Sequence, residues 1–123
     1  MNKLLVAVLC CLAGSAGAQE RRQAFAANSG EAVFKSICQG CHMPDAKGAT
    51  GAGAYPALAA NPNLEAAGYP LMLVVNGHKA MPAFGGMLTD QQVADVVNYV
   101  RTHFGNKYTD AVKAADVKAV RGQ

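Results

Sequence analysis

The sequence contains little of what nucleic-acid-binding proteins use to hold their ligands. It has no tryptophan, only four tyrosines and four phenylalanines among 123 residues, and a formal net charge of +3. Its lysines and arginines are scattered along the chain and form no basic cluster for phosphates. Few aromatic side chains are available to stack on bases. The composition therefore argues against a nucleic-acid partner.

Long hydrophobic runs are also absent. The apolar run at residues 4–12 is too short to cross a membrane as a helix. It follows Lys3 and precedes small residues at 16–18, a pattern typical of a cleavable secretory signal. We therefore predict that residues 1–18 are a signal peptide, that the mature chain has no membrane span, and that the protein is periplasmic. A retained membrane anchor is the alternative.

Cleavage after residue 18 would halve the cysteine count. Cys10 and Cys11 would be removed, leaving Cys38 and Cys41 in a chain with ten basic and eight acidic side chains. The two remaining cysteines lie in the pentapeptide Cys-Gln-Gly-Cys-His, which ends at His42. Thiols at this spacing can each bond to one vinyl group of a haem, and the adjoining imidazole can ligate the iron. The pentapeptide therefore indicates covalent haem attachment.

Three other uses of this cysteine spacing are weaker. A thioredoxin-like dithiol follows a strand in a βαβ unit, which the helical pattern of this sequence lacks. A zinc site needs further ligands, and only His78 and His103 remain. A structural disulfide between Cys38 and Cys41 is compatible with an exported protein and stays open.

Hydrophobic periodicity predicts an all-α fold with three main helices. The first helix is expected to begin at residue 28 or 29 and to end at residues 39–40. The second is expected over residues 69–76, with Pro70 in its first turn and Gly77 just past its end.

The third helix is predicted from Thr89 to about Phe104. Thr89 and Gln92 form a capping-box pattern, and the valines that follow fall on one helical stripe. We assign residues 19–105 to one domain and residues 106–123 to a C-terminal tail that could form one short helix.

Residues 45–63 are dominated by glycine, alanine, proline and asparagine and carry few signals of regular structure. A loop of this length is uncommon inside a compact domain. It is easier to accommodate if it lies against a large cofactor.

Haem iron in an electron carrier usually has a second axial ligand, for which the sequence offers several methionines and histidines. Met43 is adjacent to His42 and cannot reach the opposite haem face. Met72 is expected in the core, on the second helix. His103 lies off the apolar stripe of the last helix and is expected at a solvated boundary.

The best remaining candidate is Met81, in the loop between the second and third helices. Pro82 disfavours a helical conformation at Met81 and keeps it extended, which helps to direct its thioether inward. His78 and Met87, in the same loop, are the alternatives.

Together these features resemble the class I monohaem cytochrome c family. The resemblance rests on the pentapeptide, the Met-Pro-Ala-Phe motif at 81–84 and the closing amphipathic helix, and it covers about residues 29–105. It implies a cytochrome c fold, with three main helices and long loops wrapped around one covalent haem c. It also implies that the first and last helices cross, with Gly30, Phe34 and Tyr99 at the contact.

The resemblance implies further roles for single residues. The family has a proline carbonyl that accepts the N–H of the ligand histidine, and Pro56 matches that position. Asn76 and Lys79 match polar or basic residues that approach a haem propionate; a solvated Lys79 is the alternative. The sequence after Phe104 is similar to the tails of cytochrome subunits of periplasmic dehydrogenases.

These observations predict a one-electron carrier rather than an enzyme, with His42 and Met81 as axial ligands. We expect it to accept electrons from a periplasmic dehydrogenase, as its cytochrome subunit, and to pass them to a downstream acceptor. A free shuttle to a terminal oxidase is one alternative. A haem-based gas sensor is another, and it would need an open iron position.

Overall fold

The computed structural model describes residues 27–51 and 53–122. The predicted signal peptide lies outside these residues, as do residues 19–26 of the predicted domain. No helix in the described part of the chain is long and apolar enough to span a bilayer.

The first helical stretch runs from residue 30 to residue 42 and has a π-helical centre. It consists of α1 (Gly30–Val33), a π-helical segment (Phe34–Cys38) and α2 (Gln39–His42), together called the N-terminal helix. π-Helical turns are rare in proteins, and those that occur are often found at functional sites. This segment leads directly into the pentapeptide.

The N-terminal helix begins as predicted but ends later. Ser29 caps it by accepting a hydrogen bond from the backbone N–H of Ala32. The predicted end at residues 39–40 is wrong, because Gly40 remains helical and the chain leaves the helix at Met43, where φ is +67°. All of the pentapeptide is therefore helical.

The glycine-rich stretch contains small elements that the all-α prediction omitted. Strand β1 (Ala49–Thr50) pairs antiparallel with β2 (Ala54–Tyr55), and a 3₁₀ turn spans Pro62–Leu64. These elements are two or three residues long, and the fold remains predominantly helical with long loops.

The second and third predicted helices are present with small shifts at their ends. Helix α3 spans Gly68–Asn76 and is ended by Gly77 at φ +73°, and α4 spans Asp90–Thr102. The capping box between Thr89 and Gln92 is confirmed.

A further helix, α5 (Ala114–Arg121), lies in the predicted tail. Apolar side chains from the helices and from the segments between them share one core. Its buried members include Val33, Phe34, Leu64, Leu71, Val75, Leu88, Val93, Val96, Val97, Val100, Val112 and Val117. The last two belong to residues 106–123, so the predicted tail contributes side chains to the same core.

The N-terminal helix crosses α4 at very short range. A Cβ atom at Gly30 would lie 2.1 Å from the carbonyl oxygen of Asp95 and 2.7 Å from Cβ of Tyr99. The Phe34 ring packs beside this contact, with its centroid 5.7 Å from that of Tyr99 and 4.9 Å from that of Phe104. The crossing implied by the resemblance is thus present, and it requires glycine at position 30.

Arg101 of α4 connects the tail to the middle of the chain. Its side chain is fully buried and donates hydrogen bonds to the carbonyls of Leu64 and Glu65, both at 2.8 Å. It also donates to the carbonyl and, at 2.6 Å, to the carboxylate of Asp110. A buried cation needs such partners to offset its desolvation. Arg101 therefore ties residues 64–65 and 110 to one helix.

Candidate haem site

The two thiols of the pentapeptide lie one helical turn apart. Cys38 ends the π-helical segment and Cys41 lies in α2, so both face the same side of the N-terminal helix. They are not joined in a disulfide; Cys41 is exposed and Cys38 partly buried. Burial raises the pKa of the Cys38 thiol to about 11. The arrangement presents two free thiols to a single edge of a ligand.

His42 is buried, with 8% of its surface exposed, and its ring is held by one hydrogen bond. Its Nδ1 lies 2.8 Å from the carbonyl oxygen of Pro56. Because a carbonyl can only accept, Nδ1 donates this hydrogen bond, and in the neutral ring the lone pair then lies on Nε2. Among residues 27–51 and 53–122, the hydrogen bond of the His42 ring is made by Nδ1. The ring is therefore oriented with a basic nitrogen available to a metal.

Backbone hydrogen bonds fold the segment after His42 into a compact support. The N–H of Gly48 donates to the His42 carbonyl at 3.0 Å. The Ala46 carbonyl accepts from the N–H groups of Leu58 and Ala59 at 2.7 and 2.9 Å. These contacts are made by backbone groups and need no side-chain partner.

Gly48 lets the chain bring Pro56 close to the histidine. Its φ is +68°, and a Cβ atom there would lie 2.1 Å from the carbonyl oxygen of Tyr55 and 2.8 Å from the carbonyl carbon of Pro56. Sequence reasoning missed this residue, because a glycine in a glycine-rich stretch gives no sign of which neighbour it must approach.

Met81 lies in the loop of residues 77–88, called the Met81 loop. A tight turn pairs the backbones of His78 and Met81 through two hydrogen bonds, of 3.0 and 2.9 Å. Lys79 within this turn has φ +51°. Met81 is partly buried, whereas His78 is exposed and Met87 is 48% exposed. The turn therefore places Met81, the predicted ligand, beside its alternative His78.

The Met81 loop then returns along the end of α3. The N–H of Phe84 donates to the Val74 carbonyl at 2.9 Å, and the N–H of Gly85 donates to the Val75 carbonyl at 3.1 Å. Asn76 and Lys79, predicted to support a propionate, are both exposed. Their role toward haem stays a prediction.

The prediction that Met72 lies in the core is wrong. Its side chain is 52% exposed and shares one face of α3 with Tyr69, which is 49% exposed. Helix α3 instead buries Leu71 and Val75, on its other side. His103 is at an exposed boundary, as predicted, stacked on the Tyr99 ring with centroids 4.1 Å apart.

The residues present fit a covalently attached haem. Two free thiols lie on one side of the helix, and the next residue is a buried histidine with an available ring nitrogen. Cys38, Cys41 and His42 would hold the group.

This fold and this donor set define a c-type cytochrome domain. A family model described as cytochrome c oxidase, cbb3-type, subunit III matches residues 25–100, which is more than half of the chain. The chain belongs to this family of cytochrome c domains, and the resemblance to class I monohaem cytochromes c is confirmed at that level. The protein is thus an electron-transfer cytochrome with covalently bound haem c.

The curated relatives include subunits of larger enzymes and small cytochromes. The fructose dehydrogenase cytochrome subunit of Gluconobacter japonicus is 36% identical over 107 residues, covering 75% of this chain and 22% of the relative. The cytochrome c subunit of the quinone alcohol dehydrogenase of Gluconobacter oxydans is 35% identical, covering 76% and 22%. Cytochrome c6 of Porphyra purpurea is 40% identical over 88 residues, covering 63% and 73%. The chain thus spans about a fifth of the length of the dehydrogenase subunits.

Proposed function

We propose that this cytochrome is a periplasmic one-electron carrier with His42 and Met81 as axial ligands. The observation that carries the proposal is the hydrogen bond from His42 Nδ1 to the Pro56 carbonyl, which leaves Nε2 free to ligate. When bound, the haem iron supplies the change between ferrous and ferric states. The chain's own residues attach the group, orient the histidine and bring a thioether to the site.

Methionine ligation is tested by the long-wavelength charge-transfer band of the ferric protein. We expect Met81→Ala to lose this band and Met87→Ala, in the same loop, to keep it. His78→Ala should also keep it. A band that survives in Met81→Ala would remove Met81 from the site, and loss in Met87→Ala would favour that alternative.

Electron transfer without a substrate site is tested by ligand binding. An iron with two protein ligands should bind carbon monoxide slowly and weakly in the reduced protein. Rapid, tight binding would instead support the gas-sensor alternative, since that function needs an open coordination position.

A dehydrogenase is the electron donor we propose, by analogy with the fructose and alcohol dehydrogenase cytochrome subunits to which the chain is similar. Co-purification of the haem-loaded chain from its native host with a dehydrogenase supports this version. The chain is also similar to cytochrome c6, a small cytochrome. This likeness supports a second candidate function, a free shuttle to a terminal oxidase. Recovery of the cytochrome alone, with rapid reduction of an isolated oxidase, would favour that candidate.

The uncharged stretch at 80–87 is the docking rim we propose for either partner. It would surround the exposed haem edge with little charge to desolvate. Ala83 is exposed, and Ala83→Asp should slow electron exchange while leaving the spectrum unchanged. Ala119→Asp, at an exposed position of α5, is the matched control and should not change the rate. Equal rates in both variants would contradict the docking rim.

Export is tested by cell fractionation and by the N-terminal sequence of the mature protein. The signal pattern at residues 1–18 supports a mature chain beginning at Gln19 in the periplasmic fraction. A haem-loaded protein found in the cytoplasmic fraction with an intact residue 1 would contradict this localisation.

A further inference from the structure

The C-terminal helix contacts the loop that carries Met81. Arg121, the last residue of α5, donates hydrogen bonds from its guanidinium to the backbone carbonyls of Gly85 and Leu88, the latter at 2.8 Å. Its Nε donates to the Asp90 carboxylate at 2.6 Å, at the start of α4. One side chain therefore joins α5, the Met81 loop and α4.

Helix α5 is anchored on the core one turn before Arg121, and the Arg121–Asp90 ion pair is partly shielded from water. Val117, one turn before Arg121, is fully buried and holds α5 on the core. The Arg121 side chain is 27% exposed and the Asp90 side chain 36% exposed. A guanidinium is a planar fork with fixed donor directions, so it loses little freedom per hydrogen bond formed.

Gly85 lies between α3 and the guanidinium. Its N–H donates to the Val75 carbonyl, and a Cβ atom at this position would lie 2.7 Å from that carbonyl oxygen and 3.1 Å from Arg121 Nη1. The loop is thus enclosed on both sides four residues after Met81.

The Met81 loop is held by two kinds of hydrogen bond, one from a side chain and one between backbone groups. Within residues 27–51 and 53–122, the side-chain hydrogen bonds to the backbone of residues 77–88 come from Arg121. The other hydrogen bonds of the loop are between backbone groups, within the loop or to the end of α3. Opening the second half of the loop therefore requires Arg121 to release both carbonyls.

We propose that Arg121 is a positioning residue for Met81. By closing residues 85–88 against α3, it keeps the Met81 loop from opening and so holds the thioether at the haem. This inference rests on the proposed ligation by Met81. Hydrogen bonds from a charged donor are stronger than neutral ones, so their loss should raise the population of the open loop.

Added imidazole measures that population, because it can take the sixth position of the iron only when the methionine leaves. The experiment titrates the ferric, haem-loaded full chain with imidazole and follows the visible spectrum. Arg121→Ala should bind imidazole roughly tenfold more tightly than the unchanged protein. Arg121→Lys, which keeps the charge without the fork, should fall between the two.

Lys118→Ala is the matched control. Lys118 lies on the same helix and is exposed, and its side chain makes no hydrogen bond or ion pair with the described residues, so the substitution deletes one positive charge and no polar contact. Its imidazole affinity should be unchanged. If Arg121→Ala shows the same affinity as Lys118→Ala, the proposal is overturned even where Arg121→Ala melts at a lower temperature, because that would be a merely structural role.

Two further results separate this proposal from the proposed function. If Met81→Ala keeps the methionine band, the ligation fails and the positioning role fails with it. If Met81→Ala loses the band and imidazole affinity is the same in Arg121→Ala and the unchanged protein, only the positioning role fails. Should Arg121→Ala not fold, Arg121→Lys carries the test, and an unchanged affinity in that variant overturns the proposal.

Discussion

The segments around the two proposed axial ligands, His42 on the histidine side and Met81 on the methionine side, are held by different means. His42 ends a helix, and its ring rests on a carbonyl that a network of backbone hydrogen bonds presents. Met81 lies in an irregular loop that returns along α3 and is closed by an arginine from α5. The first support is built from neighbours in sequence, whereas the second depends on a residue forty positions away. The histidine side should therefore change only with the fold, and the methionine side should be adjustable on its own.

The largest effect is expected from Gly48→Ala, which attacks the histidine side. The new Cβ would need a left-handed backbone and would clash with the Tyr55 carbonyl oxygen. We expect the free energy of unfolding of the haem-loaded protein to fall by about 4 kcal/mol, measured by denaturant titration. Gly51→Ala, where a Cβ meets nothing within 4 Å, is the control. Similar losses in both variants would contradict the assigned role of Gly48.

Arg101→Met should reduce overall stability while sparing both sides of the haem site. The carbonyls of Leu64 and Glu65 would lose their donor, and we expect the free energy of unfolding to fall by about 3 kcal/mol. Imidazole affinity should stay at the unchanged value, because Arg101 contacts neither His42 nor the Met81 loop. A change in that affinity would mean that the Met81 loop responds to any loss of stability, and the comparison would fail.

Gly77→Ala is the counterpart of Gly48→Ala on the methionine side. Gly77 has φ +73°, and a Cβ there would lie 2.7 Å from the Ala83 nitrogen and 2.8 Å from the Met81 carbonyl oxygen. We expect a loss of about 2 kcal/mol in unfolding free energy together with a weakened methionine band. Gly86→Ala, in the same loop and without close neighbours, should leave the band intact. An intact band in both variants would contradict this prediction.

A smaller effect is expected at the junction between the loop and α4. Thr89→Ala removes the hydroxyl that accepts the N–H of Gln92 and should lower the unfolding free energy by about 1 kcal/mol. Thr89→Ser keeps a hydroxyl and should retain most of the stability. Thermal or denaturant unfolding distinguishes the two, and equal losses would show that the cap contributes little.

The smallest effect concerns pH and should leave the haem site unchanged. Hydrogen bonding to the Arg101 guanidinium, aided by its charge, holds the pKa of the Asp110 carboxyl below its ordinary value. The stabilisation from this pair is therefore present above about pH 4, the ordinary pKa of an aspartate, and is lost as pH falls through the lower folded pKa. The Asp110 side chain is 70% exposed, so the contribution is small. Asp110→Asn should be less stable than the unchanged protein at about pH 5, and the difference should shrink toward about pH 3. A constant difference would contradict the ion-pair origin.

The features predicted correctly from sequence are those with local causes. The capping box at Thr89 depends on residues three apart, and the end of α3 at Gly77 depends on one glycine. The predicted end of the N-terminal helix is wrong for a related reason. Glycine often ends a helix, but Gly40 remains helical and the chain leaves the helix at Met43, which has a positive φ.

Features with distant causes could not be predicted from pattern alone. Arginine is rarely buried. No sequence pattern near Arg101 predicts that it donates hydrogen bonds to the carbonyls of residues 64 and 65. No sequence pattern predicts the hydrogen bond from Arg121 to Gly85 either. The Pro56 contact is predictable only through the family resemblance, because no local signal links a loop proline to a histidine fourteen residues earlier.

The burial of Arg101 also constrains the order in which the domain can fold. Its partners lie at residues 64–65 and at residue 110, so its site cannot form until the chain beyond residue 110 is available. A chain that emerges from its amino end therefore presents the pentapeptide early, beside a domain whose core still lacks Val112 and Val117.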